Sequence, residues 1–239
     1  MNKIDHLQQI IDSSNHIVFF TGAGVSCDSG IPDFRSVDGL YNQKYAYPPE
    51  MILSHSFFMK DPLEFYRFYH DKMLYPNALP NITHNFIAKL EAMHKCDGVI
   101  TQNIDGLHQK AGCKKVVELH GSVHRNYCTS CHKFYDLDYM IKHDGIVLCS
   151  CGHIVKPDVV LYEEALKEKD LDEALNLITN ADCLIVCGTS LKVYPAAGLV
   201  RYYQHDKLVV INKDSTDYDQ YADLVINDSL SNVLSQIKL

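Results

Sequence analysis

Ile4, Leu7, Ile10 and Ile11 recur at helical spacing and the polar run Ser13-Ser14-Asn15 stops them, so the chain should open with one amphipathic helix. The apolar run Ile17-Val18-Phe19-Phe20 then leads into Thr21-Gly22-Ala23-Gly24, the pattern of a buried strand ending in a glycine-rich turn. Comparable runs recur at Gly98-Val99-Ile100-Thr101, Val116-Val117-Glu118-Leu119, Leu184-Ile185-Val186-Cys187 and Leu208-Val209-Val210-Ile211. Unbroken, β-branched runs of this length fit parallel strands covered on both faces. Helical patterns fall between them at 81–94, 167–179 and 196–203, and a last one carries Leu230, Val233, Leu234 and Ile237. Strands alternating with helices predict an α/β fold built on a doubly wound, Rossmann-like parallel sheet.

Two stretches break that rhythm. Residues 36–77, rich in Tyr, Phe and Pro, read as a helical insert, and residues 125–156 as a second insert holding four cysteines. The sheet domain then comprises 1–35, 78–124 and 157–239, and the two inserts form a smaller domain. Seventeen residues separate the pairs Cys128-x-x-Cys131 and Cys149-x-Cys151. Two tight turns with two thiolates each supply a tetrahedral zinc set from a segment too short to hold a core of its own. Ordinary core cysteines scatter along a chain and do not cluster in this way.

Composition narrows the function classes. A formal charge of -8 over 239 residues lacks the basic surplus that neutralises phosphates, so direct nucleic-acid binding is not expected. An acidic balance suits a cationic protein or peptide partner. No apolar run reaches bilayer-spanning length and the start, Met1-Asn2-Lys3-Ile4-Asp5-His6, has no basic-then-apolar leader, so a cytoplasmic protein without membrane contact is expected. Nine cysteines fit a reducing compartment: four for zinc, with Cys27, Cys96, Cys113, Cys183 and Cys187 left as thiols, the last two as core filler in an apolar strand.

In an open α/β sheet the ligand lies beyond the carboxyl ends of the strands. Those positions hold Gly22-Ala23-Gly24, Gln102-Asn103-Ile104-Asp105, His120-Gly121, Gly188-Thr189-Ser190 and Asn212-Lys213, the glycines and polar groups a nucleotide site needs. Gly22-x-Gly24 lets backbone amides approach a phosphate. The dinucleotide fingerprint of a dehydrogenase wants a third glycine, where this chain has Cys27, and an acidic residue about twenty positions on at a strand end. Asp38 comes too early and follows no strand, so hydride transfer is disfavoured.

The run Ser29-Gly30-Ile31-Pro32-Asp33-Phe34-Arg35-Ser36 resembles the sirtuin family of NAD-dependent protein deacylases. The motif beginning Gly22-Ala23-Gly24-Val25-Ser26, then Thr101-Gln102-Asn103-Ile104-Asp105-Gly106-Leu107-His108, Glu118-Leu119-His120-Gly121, the paired cysteines, Lys156-Pro157-Asp158-Val159-Val160 and Gly188-Thr189-Ser190-Leu191 follow in family order. The resemblance spans nearly the whole chain. It implies that NAD is consumed and not reduced. The acyl-lysine carbonyl oxygen attacks the ribose carbon bearing nicotinamide, and the products are nicotinamide, O-acyl-ADP-ribose and free lysine. Phe34 then covers that carbon and excludes water, and Arg35 handles phosphate or ribose oxygens. His120 resembles the catalytic histidine that takes a proton from a ribose hydroxyl, and an imidazole suits that task because its ordinary pKa is near working pH.

The same resemblance assigns Asn103 to the ribose or a water, Asp105 to the nicotinamide carboxamide, Gln102 to ribose hydroxyls, and places Ile104 in the same NAD-contacting turn. Gly188, Thr189, Ser190 and Asn212 bind phosphate and ribose, with Val193 lining the pocket. Asp228 either closes over the adenine or caps the last helix. Zinc is structural, since four thiolates leave no open coordination position. The chain departs from the family in its one-residue gap at Cys149-Ser150-Cys151, a tighter chelate that strains the zinc geometry. A second departure is Cys27, whose place near a helix start gives it either thiolate character or a packing role.

Relatives that take acidic acyl groups carry tyrosine and arginine three apart in the helical insert. Here Tyr66 matches the tyrosine and Tyr69 stands in place of the arginine. Without that countercharge, worth about 1.5–3 kcal/mol, an apolar acyl group, acetyl first, is expected. The resemblance lays the acyl-lysine peptide as an added strand between Val160-Leu161-Tyr162-Glu163-Glu164 and Leu191-Lys192-Val193-Tyr194-Pro195. Glu163 replaces a glycine common there and with Glu164 forms either an acidic rim favouring basic neighbours of the target lysine or merely solvated charge. A monomer is expected. Two other readings stay open: an ADP-ribosyltransferase using the same NAD site, and a non-catalytic zinc-ribbon adaptor.

Overall fold

The computed structural model describes residues 2–34 and 46–239. Helix α1 (Lys3–Asp12) starts at Asn2, whose side chain caps it by accepting from Ile4 N–H, and it buries Leu7, Ile10 and Ile11. It leads into β1 (Ile17–Thr21), buried along its whole length. Among its described residues the first insert carries three helices: α2 (Pro49–Ile52), α3 (His55–Lys60) and α4 (Pro62–Lys72). Asp61 caps α4 through Glu64 N–H, and Pro62 fits the first turn because its missing donor is not needed there. After them come α5 (Ile82–Ala92), β2 (Cys96–Thr101), α6 (Leu107–Ala111) and β3 (Val116–Glu118).

The second insert is a small antiparallel sheet. Strands β4 (Gly121–Cys128), β5 (Phe134–Tyr135) and β6 (Val155–Val159) pair in the order β5-β4-β6, with α7 (Leu137–Ile141) packed beside them. At its start Gly121 adopts φ +77°, and a Cβ there would lie 1.8 Å from the Asp158 carbonyl oxygen, so no other residue fits. The chain then returns through α8 (Glu168–Asn180), β7 (Cys183–Cys187), a 3-10 helix (Ala196–Tyr202), β8 (Leu208–Ile211), β9 (Leu224–Ile226) and α9 (Leu230–Leu234).

The main sheet is parallel, in the order β3-β2-β1-β7-β8-β9, which is the doubly wound arrangement. Alternate residues of β1 feed two cores: Ile17 and Phe19 pack with α1, α5 and α9, and Val18 and Phe20 with α8 and the 3-10 helix. The sixth strand, β9, is not among the strands the pattern predicts: Leu224-Val225-Ile226 is closed on both sides by Asp223 and Asn227, whereas the equally short β3 is extended by Leu119. The 196–203 stretch is a tighter 3-10 helix, and the last α-helix ends at Leu234, although Ile237 is still buried.

A third core joins α2, α3 and α4 to the cysteine-bearing sheet, built on Phe58, Phe65, Tyr66 and Tyr69 with Val123, Cys128 and Cys149. The two inserts therefore share one hydrophobic cluster. Where α5 meets α6, the fully buried His84 and His108 lie with ring centroids 4.8 Å apart. His84 Nε2 and His108 Nδ1 have no partner among the described residues, and burial pushes the two imidazoles down to about 4 and about 3.

Candidate active site

The site lies where the chain order in the sheet reverses, between β1 and β7, at the carboxyl ends of both strands. The loops leaving these strands interlock. Gly22 N–H donates to the Cys187 carbonyl at 3.2 Å and Gly24 N–H to the Gly188 carbonyl at 2.8 Å. A Cβ on Gly22 would meet Thr189 Cβ at 2.6 Å, and one on Gly188, at φ +61°, would meet Val25 N at 2.5 Å. The two amides expected to approach a phosphate are thus already donated to the facing loop. These glycines serve loop-to-loop packing that brings the turns together.

Polar side chains lock the same turn. Thr189 N–H donates to Asn212 Oδ1 at 2.9 Å, Asn212 Nδ2–H returns a bond to the Thr189 carbonyl at 2.8 Å, and Gln102 Nε2–H donates to Thr189 Oγ1 at 2.9 Å. Asn212, expected to touch phosphate or ribose, has its side-chain amide engaged with the Thr189 backbone. Around these loops runs a cavity of about 660 Å³, within the roughly 300–1,000 Å³ usual for cofactor-sized ligands. Its walls include Gly22, Ala23, Gly24 and Cys27 from the first loop and Gly188, Thr189, Ser190 and Asn212 from the second, with Asp228 at the far end.

A second cavity of about 260 Å³ opens toward the small module. It is lined by Ile104 and Asp105, by Val160, Leu161 and Tyr162, and by Val193 and Tyr194. Ala23, Phe34, Gln102, Asn103, His120 and Val193 line both cavities, so the two meet at the predicted catalytic residues.

His120 stands at that junction at the end of β3. Its Nδ1 is 3.0 Å from the Gln102 carbonyl oxygen, which only accepts, so Nδ1 carries the proton and Nε2 keeps a lone pair. Burial lowers the imidazole pKa, partly opposed by the Gln102 bond, and the ring is neutral at working pH. Next to it, Asn103 Nδ2–H donates to Ser26 Oγ at 3.1 Å and Ser26 Oγ–H donates to Asp105 Oδ2 at 2.6 Å. Asp105 Oδ1 accepts Leu107 N–H at 2.8 Å. Burial raises the Asp105 pKa, against the pull of the Ser26 and Leu107 bonds. Ser26, itself buried, orients two catalytic candidates, and the sequence reading gave it no role although it lies inside the quoted motif. Glu118 accepts from Arg125 Nη1 at 2.6 Å, and Arg125 Nε donates to Asp158 at 2.9 Å, pinning the end of β3 to β4 and β6.

The four expected metal ligands converge. All four sulfurs lie within 4.8 Å of one another, with Cys128 to Cys151 at 3.4 Å, Cys131 to Cys149 at 3.5 Å and Cys131 to Cys151 at 3.6 Å. A zinc ion with bonds of about 2.3 Å wants sulfurs about 3.8 Å apart, so the set fits a tetrahedral ion. The one-residue gap does not prevent convergence, because Cys149 N–H donates to the His153 carbonyl at 2.8 Å and Gly152, at φ +86°, turns the chain tightly. Cys151 N–H and the Tyr135 hydroxyl both point hydrogen bonds at Cys149 Sγ, which lowers the pKa of that thiol and favours the thiolate a metal needs.

Several expectations are corrected. Tyr66 and Tyr69 do not line either cavity; both are buried in the small-module core, with the Tyr66 hydroxyl donated to the Val155 carbonyl. Aromatic packing within the module turns these two side chains inward, and α4 meets the smaller cavity only at its end, through Lys72. The helix-capping role considered for Asp228 belongs to Ser229, whose Oγ accepts Asn232 N–H at 3.3 Å; Asp228 Oδ1 accepts Ser229 N–H at 2.7 Å. Thiolate character at Cys27 fails because burial, then the nearby Asp33 carboxylate, push its thiol up. Of the acidic rim, Glu164 is paired with Lys156 and His55, while Glu163 accepts from the neutral Ser56 and keeps its charge. Arg35 lies outside the described residues. The stretch carrying Met73, Tyr75 and Pro76 lines the smaller cavity and was missed, since nothing in its local pattern marks a wall formed only in three dimensions.

A family model, the Sir2 family, matches residues 22–195. An NAD-dependent protein deacetylase of Clostridium perfringens (strain 13 / Type A) is 56% identical over 240 residues, 99% of this chain and 98% of that one. Another of the same name, from Cutibacterium acnes, is 49% identical over 236 residues, 98% of this chain and 97% of the relative. Among solved structures, a histidine-to-alanine Sir2 variant with deacetylated p53 peptide and 3'-O-acetyl ADP ribose superposes with a TM-score of 0.90 at 38% identity, covering 98% of this chain and 97% of that one. A Sir2 complex with p53 peptide and NAD+ gives a TM-score of 0.85 at 39% identity, with 99% and 97% covered.

Proposed function

This chain belongs to the Sir2 family, and from that premise we propose how its residues carry out NAD-dependent deacetylation of protein lysines. The observation that carries the reading is His120 at the meeting point of two cavities, its Nδ1 proton fixed on the Gln102 carbonyl and its Nε2 free to accept. The larger cavity takes NAD and the smaller takes the acetyl-lysine side chain, entering between the 160–162 and 193–194 segments. Bound NAD supplies a ribose carbon that loses nicotinamide and gains the acetyl oxygen. Phe34, lining both cavities, shields that carbon from water. His120 Nε2 takes the proton of a ribose hydroxyl, a task suited to an imidazole kept neutral by burial. Asn103 and Asp105, tied through Ser26, hold the ribose and the departing nicotinamide.

Cys128, Cys131, Cys149 and Cys151 hold one structural zinc, with no position left for substrate. Acylated peptides are the partners, and the walls Phe34, Ile104, Val159 and Leu161 favour an apolar acyl group. We place the enzyme in the cytoplasm, where unbridged thiols such as the buried Cys96, Cys113, Cys183 and Cys187 persist. Nicotinamide release with NAD and an acetyl-lysine peptide, followed by product mass, tests the reaction: wild type should yield O-acetyl-ADP-ribose and His120→Ala should lose at least about 100-fold in kcat. ADP-ribose attached to a protein side chain, with no deacetylated peptide, overturns the reading in favour of transfer.

A further inference from the structure

The loop leaving β6 passes through Glu163 at φ +75°, a left-handed conformation in which a side chain crowds its own backbone. That side chain reaches the start of α3: Glu163 Oε2 accepts Ser56 N–H and Oε1 accepts Ser56 Oγ–H, each at 2.9 Å. Backbone bonds run alongside, with His55 N–H donated to the Tyr162 carbonyl at 3.0 Å and Tyr162 N–H to the Leu53 carbonyl at 2.9 Å. Glu164 completes the turn by accepting Leu161 N–H at 2.9 Å and returning its own N–H to the Leu161 carbonyl at 3.0 Å. Val160 N–H is donated to the His120 carbonyl at 3.0 Å. Among the described residues the Val160 carbonyl and both the N–H and the carbonyl of Glu163 have no backbone partner, three residues apart on the wall of the smaller cavity. A peptide that adds itself as a strand needs such groups held in place beforehand.

We propose that Glu163 is a positioning residue for the acyl-lysine peptide: tethered to Ser56, it holds the loop in the left-handed turn that presents the Val160 carbonyl and its own N–H to the substrate backbone. The inference rests on the deacetylase reading above. A loop already held in its binding conformation loses less freedom when substrate arrives, so the tether strengthens binding without touching the chemical step. Cutting it should raise the peptide KM and leave kcat alone.

The experiment is steady-state nicotinamide release at saturating NAD, with the acetyl-lysine peptide varied, for wild type, E163A, E163G, E163Q, S56A and the E163A/S56A double variant. E163A and E163G should each raise peptide KM about five-fold, with kcat and the KM for NAD unchanged. Glycine relieves the left-handed crowding but cannot form the tether, so parity of E163G with wild type overturns the proposal. E163Q, which can still bond Ser56, should stay within about two-fold of wild type. S56A should raise KM from the α3 side, and the double variant should be no worse than E163A, since one tether is cut twice. Additive effects, an unmoved KM in E163A, or a fall in kcat instead of a rise in KM each overturn it. A wild type that releases no nicotinamide defeats the deacetylase reading itself, whereas normal wild-type turnover with an unmoved KM defeats only the tether.

Discussion

The two walls of the cleft are held by opposite means. On the sheet side, the loops after β1 and β7 press so closely that Gly22, Gly24 and Gly188 leave no space for a Cβ. On the small-module side, side chains do the holding: four thiols, the Arg125 pairs with Glu118 and Asp158, and the Glu163 tether. Contact-packed walls tolerate no added atom but are indifferent to metal and reductant. Side-chain-held walls accept many substitutions, yet they depend on what the solvent supplies.

The largest expected effect breaks the first wall. Gly188→Ala drives a Cβ to 2.5 Å from Val25 N at a left-handed position, and a loss on the order of 3–5 kcal/mol of stability is expected, with NAD KM rising more than peptide KM. A melting temperature and NAD KM equal to wild type contradict that account. Removing zinc with a chelator attacks the second wall: turnover should fall at least about ten-fold as peptide KM rises, while NAD affinity stays within about three-fold. Metal analysis alongside calorimetric NAD binding decides it, and NAD affinity lost in step with zinc shows that the walls are not separately held.

Acid sharpens the contrast away from both walls. His84 and His108 fold with pKa values of about 4 and about 3, below the roughly 6.5 of an unfolded chain. As pH falls the unfolded chain therefore binds protons first, so this contribution is fully present above about pH 6.5 and is lost progressively down to about pH 3. The loss is on the order of 5 kcal/mol, about 2.5 from each imidazole, read from denaturant midpoints between pH 7 and pH 4.5, and a flat profile refutes it. The smallest effect belongs to Cys27. With its thiol pushed up by burial and Asp33, Cys27→Ser should leave sensitivity to mild peroxide within about two-fold of wild type, whereas a protected variant restores the redox reading.

Much of the sheet was legible because strands buried on both faces leave a plain apolar run, and the ligand-facing residues follow each run directly. β9 was not, since its apolar run Leu224-Val225-Ile226 is cut off by Asp223 and Asn227. The zinc set was legible from spacing alone, for chelation demands close pairs. What the sequence could not display was the traffic between distant segments: Asn212 clasping Thr189, Ser26 linking Asn103 to Asp105, and the inward turn of Tyr66 and Tyr69. Local pattern names a residue's chemistry, but a hydrogen bond or a shared core decides which neighbour it serves.

Strand β4 begins one residue after His120 and ends on Cys128, so a single strut of about 25 Å runs from the imidazole to the four-sulfur cluster. It has one joint, where its register with β6 shifts between Ser122 and Asn126. Slack at the metal end reaches the histidine end as a change of aim, damped only at that joint. Loss of zinc is therefore expected to disturb the setting of His120 before the small sheet comes apart.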